Sequence, residues 1–236
     1  MPEVRRDPAW STPLAANVAA RLSEVFPAAA DPVRAVAMRS YMRDQFPFLG
    51  IAAPLVRQLS RQVLAGLPGP TEADLAAVAL GCWRLPEREY QYFACAWLRR
   101  HIAVCGPGFL PTVEQLIVTR SWWDTVDALA AHVVGPLVAR HPPLVSTMDE
   151  WAASENLWLA RTALLHQLTF AAGTDQARLF GYCGQLAGHR DFFIRKAIGW
   201  ALRQYAKTDP DAVRRYVLAH RASLSALSVR EALRAR

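Results

Sequence analysis

The chain has 236 residues, with 27 Lys and Arg against 20 Asp and Glu, and a formal net charge of +7 at pH 7. This length allows one large or two small domains, and a composition of 53% hydrophobic and 20% charged residues excludes a disordered chain. Nearly all of the positive charge is arginine, since Lys196 and Lys207 are the lysines. Arginine suits phosphate contacts, but a GC-rich genome also produces this composition, so the charge permits a nucleic-acid partner without proving one.

The four cysteines, Cys82, Cys95, Cys105 and Cys183, form no Cys-x-x-Cys pair and have no histidine at metal-ligand spacing. We interpret them as reduced apolar residues of a cytoplasmic, bacterial-type protein, and expect neither a metal nor a cofactor. Residues 1–12 are polar and contain proline, which predicts a flexible N-terminal tail rather than a signal peptide. No run approaches the ~18 apolar residues of a membrane span, so no membrane partner is expected.

The remaining chain shows apolar residues at helical spacing throughout, and alternating strand patterns are absent. Pairs such as Asp31-Pro32 and Asp209-Pro210 mark the predicted helix starts. The predicted helices, in chain order, are 14–26, 32–45, 53–65, 72–83, 87–104, 109–119, 122–140, 143–152, 156–171, 175–187, 191–206, 210–219 and 225–235. Their short connections predict antiparallel helical hairpins, and the whole of residues 13–236 is expected to form a single all-α domain.

An internal repeat of 35 residues runs through the second half of the chain. N-cap residue types recur at this spacing, at Ser121, Asn156 and Asp191. Aromatic residues follow two positions later, at Trp123, Trp158 and Phe193. Ser121 is also followed by Asp124, which predicts a capping box. A capped helix recurring every 35 residues, with a second helix between recurrences, indicates a solenoid of stacked helical hairpins, which curves and has a concave side.

Equivalent helices of such a solenoid bring their exceptional residues into one concave groove. These residues are Trp123, Asp127, Arg161, Lys196 and Trp200. A carboxylate inside an apolar helix is costly to bury unless a positive or polar group meets it. Two interpretations of Asp127 stay open on the residues alone: a reactive carboxylate in a basic groove, or a structural ion pair with Arg161 that locks adjacent repeats.

Two tryptophans flanking one aspartate could stack on, or press against, a sugar or a base while the carboxylate faces developing positive charge. Cleavage of a glycosidic bond develops positive charge on the sugar, which a carboxylate stabilises while indole rings press against the ring. A single carboxylate suffices when the leaving group is already activated, as a cationic alkylated base is. Arg161 and Lys196 would follow a phosphate backbone beside it. Trp122, adjacent to Trp123, points elsewhere and is interpreted as a core residue.

At several long segments the sequence resembles the AlkD family of DNA alkylation-repair glycosylases, which are built from HEAT-like helical repeats. The matching segments are Arg39–Arg43, Phe48–Ile51, Leu85–Glu89, Leu116–Asp127, Asn156–Arg161, Phe192–Trp200, Arg203–Pro210 and Ser228–Glu231. The resemblance extends from about residue 15 to the C-terminus. It implies a curved superhelical solenoid that hydrolyses the N-glycosidic bond of positively charged N3- and N7-alkylated purines in duplex DNA, without flipping the base.

The resemblance also implies individual roles. Asp127 would be the catalytic carboxylate, positioning a water and stabilising the sugar cation. Trp123 and Trp200 would contact the deoxyribose beside the lesion. Arg161 would hold a backbone phosphate, and Tyr41 matches a tyrosine that the family places at the groove.

Two further residues concern the substrate and the product. Lys196 is predicted to face phosphate rather than the sugar carbon, so base release is expected to leave an abasic site without strand cleavage. Ala52 stands where a member of the family carries glutamine, which leaves room for bulky alkyl adducts as an alternative substrate. A non-catalytic repeat protein that binds damaged DNA is the other alternative. The solenoid needs no partner to close its core, so a monomer is expected.

Overall fold

The computed structural model describes residues 8–234, which contain α-helices with short 3₁₀ and π segments and no β-strand. The all-α helical-repeat class predicted from the sequence is confirmed. No helix in this range is both long and apolar enough to cross a membrane. Residues 1–7 of the predicted tail lie outside the described residues. The adjoining Trp10 donates its backbone N–H to Ala77 O at 3.0 Å.

The chain divides into two compact units, Met1–Thr112 and Val113–Arg236. The first unit contains α1 (Pro13–Ala28), α2 (Pro32–Tyr41), α3 (Ala53–Leu64), α4 (Glu72–Arg84) and α5 (Arg88–His101). Helix α6 (Leu110–Val118) begins in the first unit and ends in the second. The second unit continues with α7 (Trp123–Leu129), α8 (Gly135–Arg140), α9 (Val145–Ala152), α10 (Leu157–Leu165), α11 (Gln176–Gln185), α12 (Phe192–Tyr205), α13 (Pro210–Ala219) and α14 (Ala226–Ala232). The single-domain assignment of residues 13–236 stays a prediction.

The first unit is built around α1, α3, α4 and α5, which pack on one another. Phe26 of α1 stacks on Tyr90 of α5, with ring centroids 5.4 Å apart, and meets Phe93 edge-on at 6.1 Å. Helix α4 begins with a capping box, in which Thr71 and Asp74 satisfy each other's backbone N–H. By contrast, α2 has no buried residue.

In the second unit, α10 packs between α7 and α12, and α12 packs against α14. Asn156 and Asp191 cap α10 and α12 through their side chains, as the 35-residue spacing predicts. The order of these contacts brings successive repeat helices side by side, which is what the repeat predicts.

Three predicted helices differ most from the observed ones. The predicted helix 122–140 is interrupted by a π-helical segment at Ala130–Val134, just before Pro136, which lacks the N–H that a regular α-helix would use. The predicted helix 32–45 ends at Tyr41, because Arg43 and Asp44 adopt left-handed backbone angles, with φ of 54° and 55°. The predicted helix 156–171 ends at Leu165.

Candidate active site

An aromatic cluster covers the N-terminal ends of the three repeat helices. The ring of Trp122 lies 5.9 Å from that of Trp158 and 5.0 Å from that of Phe193, and the last two are 5.1 Å apart. The cluster supports the interpretation of Trp122 as a packing residue. It also shows that Trp122, one position earlier, packs in the aromatic column that the 35-residue spacing assigns to Trp123.

The one-residue offset has a local cause. The N-cap position of α7 is occupied by Trp122, whose backbone is extended, and not by Ser121. The Ser121 hydroxyl instead donates back to Ile117 O at 2.6 Å, at the end of the preceding helix. The prediction that Ser121 caps α7 is therefore wrong. A hydroxyl can satisfy either a helix start or the carbonyl four residues earlier, and here the carbonyl is the partner.

The candidate site is centred on Asp127 and Arg161, which form a two-point ion pair between α7 and α10. Arg161 Nε donates to Asp127 Oδ1 at 2.7 Å, and Nη2 donates to Oδ2 at 2.8 Å. Nη1 donates to the backbone oxygen of Phe193 on α12. One guanidinium therefore joins three helices, and the ion pair that the sequence left open is present.

The ion pair is almost closed to solvent at Arg161 and partly accessible at Asp127. The Arg161 side chain is 4% exposed, whereas that of Asp127 is 15% exposed. Burial raises the pKa of the Asp127 carboxyl above its usual range, and the hydrogen bonds and charge of Arg161 act in the opposite direction. Each carboxylate oxygen accepts one bond from Arg161 and keeps a lone pair, so the accessible edge can accept a proton or face a cation.

The two candidate tryptophans lie on α7, which carries Asp127, and on α12, which packs against α10. Trp123 is one turn before Asp127 on α7, and Trp200 is one turn after Lys196 on α12. Both side chains are half-buried, so each presents part of its indole ring at the surface of the unit. This partial exposure is compatible with the contacts to a sugar that the resemblance implies.

Lys196 lies in a second charged cluster, with a carboxylate that the sequence analysis did not single out. Glu231 of α14 is 3.3 Å from Lys196 Nζ and 3.0 Å from Arg203 Nη1, and its side chain is 8% exposed. Despite the burial, these two cations lower the pKa of Glu231. The sequence contained a signal for Glu231, because Arg161, Lys196 and Glu231 follow one another at intervals of 35 residues. Lys196 itself is 42% exposed and so keeps donors for another anion.

The remaining two predicted residues, Tyr41 and Ala52, belong to the first unit. Tyr41 ends α2 and is 72% exposed. Ala52 is the N-cap of α3 and half-buried.

The carboxylate of Glu89, which is fully buried, accepts the backbone N–H groups of Leu49, Gly50 and Ile51 at 3.0, 2.8 and 3.1 Å.

Glu89 is therefore the residue that holds the segment leading to Ala52, a role that the sequence analysis missed. The sequence contained a signal, since Glu89 stands in the matching segment Leu85–Glu89. The residue was overlooked because a charged residue just after a helix start commonly faces solvent. Gly50 in the same segment has φ +88°, and a Cβ there would lie 2.0 Å from Asp31 O. The turn before Ala52 is consequently defined by one buried anion and one obligatory glycine.

The described range contains no cluster of three or more His, Cys, Asp or Glu side chains able to hold a metal ion. Its four cysteines are buried free thiols. The groups that the candidate site itself offers for chemistry are the Asp127 carboxylate and the Arg161 guanidinium, with Trp123 one turn before Asp127 on α7.

Comparison with known proteins adds a family to this geometry. A family model described as DNA alkylation repair enzyme matches residues 22–235. A solved structure titled as a predicted DNA alkylation repair enzyme from Enterococcus faecalis is similar, with a TM-score of 0.78 and 33% sequence identity. The similarity covers 86% of this chain and 94% of that one. A search of curated proteins gave no match.

Proposed function

Because the chain belongs to the family of DNA alkylation repair enzymes, we propose that it is a monofunctional DNA glycosylase acting on alkylated purines in duplex DNA. The observation that carries the proposal is the Asp127 carboxylate. It is held at both oxygens by Arg161, with 15% of its side chain exposed, in a chain with a net charge of +7. The ion pair alone would also serve a protein that only bound phosphates, but the accessible edge of the carboxylate would repel them.

The proposed reaction needs one anion and one water. In an N3- or N7-alkylated purine the base already carries a positive charge. When the C1′–N bond breaks, its electron pair stays with the base, which leaves as a neutral molecule without being protonated. The sugar is left as an oxocarbenium ion, and the Asp127 carboxylate stabilises it. Water adds to C1′, its proton passes to Asp127 or to solvent, and an abasic site remains.

Arg161 acts in this proposal as a positioning residue. Its three bonds to Asp127 and to the Phe193 carbonyl hold the carboxylate in one orientation relative to α10 and α12. With 4% of its side chain exposed, it is better placed for this role than for the phosphate contact predicted from the resemblance, which stays a prediction. The half-buried rings of Trp123 and Trp200 would cover the deoxyribose and keep water in the place that Asp127 selects.

The test is the release of 7-methylguanine and 3-methyladenine from methylated duplex DNA by the wild-type protein and by Asp127→Asn. We expect release by the wild type and a fall of roughly 10²- to 10³-fold in the variant, because a neutral amide cannot stabilise the sugar cation. Asp124→Asn is the matched control, since it removes the same charge three residues earlier on α7. It should retain most of the activity.

The same experiment separates the alternatives. An unfolded Asp127→Asn protein would be recognised by circular dichroism, and its activity would then be disregarded. A folded wild-type protein that binds duplex DNA but releases neither base contradicts the proposal for methylated purines. Release that is insensitive to Asp127 contradicts the assignment of the carboxylate. A covalent complex trapped by borohydride would contradict the monofunctional reaction.

A further inference from the structure

A cleft in the first unit, distant in sequence from Asp127, has the composition of a ligand site. It has a volume of about 430 Å³ and lies between α3 and α5, with Met38 of α2 and Ile51 at its edge. This volume is within the usual range for small-molecule sites. The large apolar side chains that line it are Met38, Ile51, Val56, Leu64, Phe93 and Trp97.

Three arginines also line this cleft: Arg57 and Arg61 from α3, and Arg100 from α5. All three side chains are exposed, and the lining includes no Asp or Glu. Within residues 8–234 they form no ion pair, whereas arginines elsewhere, such as Arg161 and Arg178, are matched with carboxylates. The cleft thus combines an apolar wall with three guanidinium groups that form no ion pair with the described carboxylates.

A buried hydrogen-bond donor adds a second, independent observation. Trp97 lines the cleft and is 3% exposed, and its indole Nε1 is buried with no acceptor in the described part of the chain. Buried donors of this kind nearly always have a partner, since leaving one unmatched costs free energy. The ring also lies 4.5 Å from that of His101, so its position is determined by packing on α5.

We propose that this cleft is a second ligand site, which binds a small amphiphilic anion. An aromatic or aliphatic body of the ligand packs on Phe93 and Trp97. A sulfonate, phosphate or carboxylate group bonds to the arginines, whose guanidinium forks match such oxygens. The Trp97 Nε1–H, which is closed to solvent in the free protein, donates to an acceptor atom on the ligand after a local shift of the side chains that cover it. The site is separate from the proposed glycosylase reaction and does not depend on it.

The experiment is calorimetric titration of the full-length protein with anilinonaphthalene sulfonate and with phenylnaphthylamine, which has the same aromatic body without the sulfonate. We expect one sulfonate probe per chain, and binding of the neutral probe that is at least about 10-fold weaker, because a charged hydrogen bond to arginine is lost. Arg57→Gln and Arg61→Gln should each weaken binding of the sulfonate probe about 5-fold or more. Arg99→Gln is the matched control, since Arg99 is exposed on α5 but does not line the cleft.

Trp97→Phe removes the indole N–H and keeps an aromatic ring, and it should weaken binding of the sulfonate probe about 5-fold. The surface arginine variants keep the test decisive if this core variant fails to fold. Equal binding of the two probes, or equal loss in the Arg99→Gln control, would overturn the proposal. Displacement of the probe by undamaged duplex DNA, with a parallel loss of DNA affinity in the arginine variants, would also overturn it and assign the cleft to DNA.

Discussion

At the scale of single residues, the Asp127–Arg161 pair is the feature on which both structure and proposed function depend. A buried ion pair is weak evidence for stability as such, since both ions lose hydration. Removing one partner, however, leaves the other charge buried and uncompensated. Here the loss of Arg161 would also remove the bond that its Nη1 donates to the Phe193 carbonyl oxygen on α12.

Arg161→Leu should therefore lower the free energy of unfolding by about 3–5 kcal/mol. The double variant Asp127→Leu/Arg161→Leu should be more stable than Arg161→Leu, because no unpaired charge remains. Urea unfolding of the wild type, both single variants and the double variant measures the coupling. Strictly additive effects would contradict a direct ion pair.

A second residue-scale prediction concerns His166, a buried imidazole whose Nδ1 lies 2.7 Å from Ala163 O. Burial lowers its pKa to about 4 from an ordinary value of 6.5. The unfolded chain therefore binds a proton that the folded chain does not between these pH values. Above pH 6.5, His166 is neutral in both states and does not lower the stability. As the pH falls from 6.5 towards 4, protonation of His166 in the unfolded chain lowers the free energy of unfolding by about 3 kcal/mol.

His166→Gln should remove this part of the pH dependence, leaving a smaller difference in unfolding free energy between pH 6.5 and 4. Urea unfolding of both proteins at several pH values measures it. The carboxylates with altered pKa, including Asp127 and Glu231, are present in both proteins and cancel in the comparison. Identical pH profiles would show that His166 does not titrate in the predicted window.

At the scale of secondary-structure elements, close approach of helices depends on particular glycines. A Cβ on Gly135 would lie 2.2 Å from the backbone oxygen of His166, where α8 meets the end of α10. Gly199 on α12 meets α14 in the same way, since a Cβ there would lie 2.5 Å from that of Glu231 and 2.9 Å from Ser228 O. The close approach of α14 to Gly199 brings Glu231 near Lys196 and Arg203.

Gly135→Ala should therefore destabilise the protein by about 3 kcal/mol, because the clash is with backbone and cannot be relieved by a rotamer change. Gly181→Ala is the matched control in α11, where a Cβ meets nothing within 4 Å. That substitution should stabilise the chain by up to about 1 kcal/mol through helix propensity. Thermal and urea unfolding distinguish the two. A tolerated Gly135→Ala would contradict the described approach of the helices.

At the scale of the whole molecule, the net charge of +7 is the property that concerns a polyanionic substrate. Family membership implies that this substrate is DNA. Binding to undamaged duplex DNA should weaken steeply with salt, with a slope of about 0.9 in log affinity against log salt for each phosphate contact. Fluorescence anisotropy with a labelled duplex measures this slope. A flat response would contradict an electrostatic contact, provided that urea unfolding shows the protein folded at each salt concentration.

Much of the helical architecture could be read from the amino-acid order, because a helix depends on neighbours three and four residues away. Caps such as Asn156 and Asp191, and proline at a helix start such as Pro210, mark boundaries that the structure confirms. The interruption before Pro136 could have been predicted from the proline itself. The early end of α10 could not, since its C-cap His166 lies against Gly135, a contact that local spacing does not contain.

The candidate site divides in the same way. Asp127 stood out in the sequence because a carboxylate in an apolar helix needs a partner, and Arg161 was among the candidates for that partner. Only the packed helices show that the two residues pair at 2.7 and 2.8 Å and that Arg161 also bonds to the Phe193 carbonyl. They also show that Trp122, rather than Trp123, lies in the aromatic cluster. These contacts join residues more than 30 positions apart. Their geometry depends on how helices approach one another, which a local pattern does not contain.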